Sequence, residues 1–114
     1  MKDLKQLKNY IIENEGATVD HDGAIKQFKN GFMVSIKGFE RCAKSINFIN
    51  NKLIMKYSKI ARKLGGFIGF WVDNNKYYID ISIHESNKNI AILKGLENNQ
   101  IAIFDCEKNE PIYL

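Results

Sequence analysis

The sequence predicts an α+β fold: a two-layer sandwich in which about three helices lie on one side of an antiparallel sheet of hairpins, in the order α-ββ-α-ββ-α-ββ. Two observations carry that prediction. Residues 66–83 hold two apolar runs, rich in β-branched and aromatic side chains, around a polar Asp73-Asn74-Asn75-Lys76 break, which is a hairpin pattern. Residues 51–64 hold an apolar stripe at helical spacing, Leu53, Ile54, Tyr57, Ile60, Ala61 and Leu64, with Gly65 placed to end the helix. Hairpins pair antiparallel, and helices covering one face of such a sheet give two layers.

The elements follow in order. Asp3 suits the N-cap of a first helix running to about Asn14, with Leu4, Leu7, Ile11 and Ile12 at helical spacing and Gly16 as its end. Ala17 to Val19 reads as a short extended piece and His21-Asp22-Gly23 as a turn. Ala24 to Phe28 and Phe32 to Ile36 read as two strands of a hairpin closed by Lys29-Asn30-Gly31. Phe32, Val34 and Ile36 should face the core. The polar mixture over residues 38–50 suggests a loop with a turn of helix. Asn50 or Asn51 can cap the second helix. In the strand after Lys76, Ile79, Ile81 and Ile83 alternate with Asp80, Ser82 and His84, so the polar set should line a wet face. A third helix covers about Asn87 to Asn98, with Ile90, Ala91, Leu93 and Gly95 available for packing. Gly95 there costs roughly 1 kcal/mol against Ala and is tolerable where a neighbour comes close. Gln100 to Asp105 and Pro111 to Leu114 read as the last strands, and Pro111 belongs at an edge or a strand start.

A chain of 114 residues, 45% apolar and 26% charged with a single Pro, fits one domain spanning 1–114 and argues against disorder. No apolar run reaches the roughly 18–20 residues of a membrane helix, and no apolar signal core follows the basic residues at the N-terminus. Cys42 and Cys106 have no metal spacing; a disulfide between them is one reading, and a reduced pair in a cytoplasmic protein is the favoured one. The net charge of +4 is uneven. Residues 1–65 hold 13 Lys/Arg against 6 Asp/Glu, while residues 66–114 hold 4 against 7.

Four groups of residues are candidates for function. Lys52, Lys56, Lys59 and Lys63, backed by Arg62, form a second stripe on the 51–64 helix, with Lys2, Lys5 and Lys8 of the first helix as further cations. No acidic residue of the 51–64 helix neutralises the stripe, so phosphates or a partner's carboxylates would relieve its self-repulsion. Lys lacks the planar fork of Arg, which weakens the case for base reading. Asp80 and His84 share a strand face but stand about 13 Å apart at 3.3 Å per residue, too far for direct hydrogen bonding. His21 with Asp20 and Asp22 has metal-ligand residue types in an ordinary turn sequence, so no metal and no cofactor is expected. Phe67, Phe70, Trp71, Tyr77 and Tyr78 could stack bases, but Phe70 and Trp71 point to opposite faces and core packing is the expected role. Gly65-Gly66 and Gly69 follow a helix and open a strand, the reverse of a phosphate-binding loop.

Residues 71–82, then Ala91, then Asn98 to Asp105, together with Lys29 to Ser35, resemble small accessory proteins of phages and mobile elements in low-GC bacteria. The resemblance implies a non-enzymatic inhibitor that occupies the surface of a host defence effector, in the manner of an anti-CRISPR, inside the host cell. Its partner would be the effector protein or the nucleic acid that the effector carries. On this expectation Lys52, Lys56, Lys59, Arg62 and Lys63 make the contact, or the acidic half mimics phosphates through Asp73, Asp80, Glu85, Asp105, Glu107 and Glu110. Two other readings stand beside it. One is direct nucleic-acid binding by the basic face of the 51–64 helix. The other is a small hydrolase built on Asp80 and His84. The terminal strand also suggests a homodimer through an open sheet edge.

Overall fold

A computed structural model describes residues 3–114. Three helices lie on one face of an eight-stranded antiparallel sheet, the α+β architecture expected from the sequence. The elements are α1 (Leu4–Asn14), β1 (Gly16–Val19), β2 (Ile25–Lys26), β3 (Phe32–Ser35), β4 (Arg41–Ala43), α2 (Asn51–Leu64), β5 (Phe67–Asp73), β6 (Lys76–Glu85), α3 (Lys88–Glu97), β7 (Ala102–Asp105) and β8 (Glu110–Tyr113). The strands run in the order β2-β1-β5-β6-β3-β7-β8, and β4 pairs with β6 beside β3.

The β5–β6 hairpin is the spine of the sheet. It pairs from Phe67 opposite Ser82 to Asp73 opposite Lys76. Its turn residues Asn74 and Asn75 both have positive φ, 49° and 62°. That is the demand of the two-residue turn whose twist matches the strands, and Asn tolerates it better than most residues.

Ile68 faces Ile81 and Phe70 faces Ile79 across the hairpin. All four are buried under α1 and α2, against Leu7, Ile11, Leu53, Ile54, Tyr57 and Ala61. Asn50 caps α2 by accepting from the Leu53 N–H at 2.9 Å, and Gly65 ends it in the left-handed region at φ 67°. A smaller core lies beneath α3, where Val34, Ala91 and Ile103 are buried with Phe32, Ile83, Ile92 and Ile112 around them. A Cβ on Gly95 would stand 2.6 Å from Leu114 Cδ1 and 2.8 Å from Ile103 Cγ2. Leu114 and Ile103 are thus the close neighbours that make Gly95 tolerable in the helix.

Several expectations are corrected. The strands around Lys29-Asn30-Gly31 do not form a hairpin. β2 is only Ile25–Lys26 and pairs with β1, whereas β3 pairs with β6 and β7. Phe28 instead crosses to the opposite face of the sheet, stacked on His84. The order is therefore α-ββββ-α-ββ-α-ββ. The segment 38–50 contains β4 as well as a 3-10 turn at Ile46–Phe48. Helix α1 ends on Glu15, in the left-handed conformation at φ 58°, one residue before the Gly16 expected to end it, and Gly16 already pairs with Trp71. Ile12 and Leu64 are exposed at 53% and 45%, because each lies beyond the edge of the sheet-facing stripe or at a helix end. On α3 the sheet is met by Ala91 and Gly95, while Ile90 and Leu93 face outward. Strand β7 begins at Ala102, since Asn99 has positive φ and Gln100 belongs to the connection out of α3.

The edge strand β8 is blunted. Leu114 donates to Ile101 O at 2.8 Å, so the alternate residues Glu110 and Ile112 also direct their backbone groups toward β7. The outward backbone belongs to Pro111 and Tyr113, and Pro111 has no N–H to offer. One outward donor remains along this strand, which works against pairing between chains.

Candidate functional site

Helix α2 presents the candidate surface. With 3.6 residues per turn, Leu53, Ile54, Tyr57 and Ala61 fall on one side and are buried. Lys52, Lys56, Lys59, Arg62 and Lys63 fall on the other side and are all exposed. The helix has no acidic residue in its first turn, and Arg62 and Lys63 occupy its last turn, where cations suit the helix dipole. Arg62 stands 3.5 Å from Asp22. Among the described residues, Lys52, Lys56, Lys59 and Lys63 have no acidic side chain within ion-pair distance. On α1, Lys5 is exposed and Lys8 half-buried, and Lys2 lies outside the described residues.

Sequence reasoning passed over Met55. It is 61% exposed and sits between Lys52 and Lys59, three and four residues away on the same helical face. Two shallow depressions meet at it. One, lined by Lys52, Met55, Lys56, Lys59 and Ile60, runs along the N-terminal half of the helix. The other, about 500 Å³, separates the C-terminal half from the His21-Asp22 turn. The signal was in the chain: a large apolar residue three positions after Lys52 and off the buried stripe.

The turn opposite α2 is built on Asp20. Its carboxylate accepts from the N–H of Asp22 at 2.9 Å and of Ala24 at 3.0 Å, and lies 3.5 Å from Lys26. Burial alone would raise the pKa of Asp20, but the two N–H groups and Lys26 together hold it below the ordinary carboxylate value. His21 lies 3.5 Å from Asp22. Among the described residues, no group of three or more His, Cys, Asp or Glu side chains is arranged to hold a metal ion.

The polar side of β6 differs from the wet face expected of it. Asp80 and Ser82 are buried, at 6% and 5% exposure. The Asp80 carboxyl lies over Gly69, where a side chain would clash, and accepts from Ser35 Oγ at 2.8 Å. Desolvation pushes its pKa up; hydrogen bonding from Ser35 opposes this, Glu40 adds to it and Trp71 opposes it. On the same face Trp71 stacks on Tyr78 with centroids 3.9 Å apart, and Phe28 meets Phe67 edge-on at 5.1 Å. Asp80 is thus enclosed between two aromatic pairs. His84 stacks on Phe28 and uses Nε2 to bond Asn30 O at 2.8 Å. Asp80 and His84 share no partner, so the strand brings together no acid–base pair there. Phe70 and Tyr77 lie on the helix-covered face while Phe67, Trp71 and Tyr78 lie on the other, so the five aromatics share no single platform. Gly65 and Gly66 close α2, with Gly66 N–H donating to Ala61 O, and are not free to cradle a phosphate. Cys42 is exposed and Cys106 half-buried, both as free thiols. Among the described residues, no helix is long and apolar enough to cross a membrane.

No protein-family model, curated protein or solved structure matches this chain.

Proposed function

We propose that this protein is a non-enzymatic binding protein that occupies an acidic surface of a larger protein, and that the larger protein is a host defence effector. The observation that carries the binding surface is Met55, an exposed apolar side chain ringed by Lys52, Lys56 and Lys59. Protein interfaces concentrate affinity in an apolar anchor surrounded by polar groups, and Met adapts its shape to the seat it enters. The surrounding lysines steer the encounter with an acidic partner and gain from its carboxylates. The choice of effector rests on the resemblance to small phage accessory proteins.

Bare nucleic acid is the second reading, favoured by the unpaired lysines alone. It has no use for Met55 at the centre of the face. The two readings separate in one set of measurements. Tagged wild type captured from host lysate should enrich a single effector, identified by mass spectrometry. Lys56→Glu/Lys59→Glu and Met55→Ser should each lower that capture, the charge reversal by roughly tenfold or more. Binding to random DNA and RNA, titrated with salt, should be weak and unaffected by Met55→Ser. Strong, steeply salt-dependent nucleic-acid binding with no captured protein would overturn the proposal in favour of the second reading.

A further inference from the structure

The depression between α2 and the His21-Asp22 turn is lined on one side by Ser58, Lys59, Arg62 and Lys63 and floored by Ile54 and Met55. Its cations outnumber its single carboxylate, Asp22. That carboxylate sits 3.5 Å from Arg62 Nη2 and 3.5 Å from His21 Nε2 through its two separate oxygens. Both distances exceed the roughly 2.7–2.9 Å of a tight charge-assisted hydrogen bond, so these are loose pairs. The Asp22 side chain is 71% exposed and that of Arg62 68%. Exposed pairs of this kind contribute little and exchange readily. The backbone of the turn is nevertheless fixed, because Asp20 holds the N–H groups of Asp22 and Ala24. Asp22 therefore stays beside Arg62 whether or not the two are paired.

We infer that Asp22 is a built-in placeholder: in the free protein it occupies the guanidinium of Arg62, and on binding it gives way to a carboxylate of the partner. The inference rests on the reading of α2 as a partner-binding face and specifies the ligand for its C-terminal half. The ligand is an acidic peptide segment carrying an apolar side chain next to its carboxylate. The carboxylate takes Arg62, with Lys59 and Lys63 around it, and the apolar neighbour packs on the exposed Met55 side chain. An isolated phosphate would satisfy only the cationic rim. Removing the Asp22 charge takes away the internal competitor and tightens binding.

The test uses fluorescein-labelled peptides of twelve residues and the full chain, read by fluorescence anisotropy. One peptide alternates Glu with Leu, a second alternates Glu with Ser, and a labelled oligothymidylate supplies phosphates without apolar side chains. Wild type should bind the Glu-Leu peptide best. Asp22→Asn, which preserves the shape of the turn, should tighten that binding by roughly two- to fivefold, the range released when an exposed ion pair is removed. Arg62→Gln should weaken binding and cancel the gain from Asp22→Asn when the two are combined. Unchanged or weaker peptide binding by Asp22→Asn overturns the placeholder, as does an equal gain for the Arg62→Gln background. Preference for oligothymidylate over the Glu-Leu peptide overturns the peptide ligand. Lys52→Glu/Lys56→Glu separates the levels. If it abolishes binding while Asp22→Asn changes nothing, the α2 face stands and the placeholder falls. If neither variant alters binding, both fall.

Discussion

The two faces of the sheet are both buried near its centre, but by different means. On the helix-covered face Ile68, Phe70, Ile79 and Ile81 meet side chains of α1 and α2. This is burial of apolar area, driven by release of water and needing no directional partner. On the opposite face Asp80 and Ser82 are enclosed beside Gly69 by aromatic pairs and by Phe28 from the segment after β2. Burial there removes a carboxyl from water, and hydrogen bonds must compensate. Strand alternation tells which residues share a face. It does not tell whether a later or earlier segment of chain covers that face.

Breaking the helix-covered face should have the largest effect. Ile81→Ala leaves a cavity under α2 and should lower the unfolding free energy by about 2–5 kcal/mol in urea titration. A loss under about 1 kcal/mol would mean that the helices do not close tightly over β6. The opposite face should answer less strongly. Ser35→Ala removes the hydroxyl that donates to Asp80 and should cost about 1–3 kcal/mol, since it leaves a buried acceptor short of a partner. A neutral result would show that water reaches Asp80. The smallest effect sharpens the contrast through pH. The Asp80 pKa is raised on folding, so its protonated form is the one the fold favours. Stability from this group is fully present below the unfolded value of about 3.9 and is lost as pH rises through the folded value. Asp80→Asn should therefore melt a few degrees above wild type at high pH and converge with it near pH 4. A difference that instead grows as pH falls would reverse the sign assigned to Asp80. No isoleucine on the helix-covered face can produce a pH-dependent difference of this origin.

The contrast also explains what could be read from the chain. Helix α2 was legible because its 3.6-residue apolar stripe, Asn50 cap and Gly65 end agree with one another. The β5–β6 hairpin was legible for the same reason, down to the Asn74-Asn75 turn. Misreading began where local signals were sound but the pairing was remote. Lys29-Asn30-Gly31 is a turn sequence, yet β3 finds a partner in Phe104 and in His84, and β2 turns back to β1. At the candidate surface the lysines of α2 were legible by spacing. Met55, off the buried stripe, was legible by the same spacing, while the His21-Asp22 turn across from it was not.

By itself the sequence determined the helices, the central hairpin and the basic outer side of α2, because each depends on residues within a few turns or strand steps of one another. Tertiary structure alone decided which strands pair with β6, that Asp80 is buried against Ser35, and that Asp22 stands against Arg62. Those outcomes join residues distant in the chain, and long-range closure is governed by packing of the whole sheet and not by any local preference.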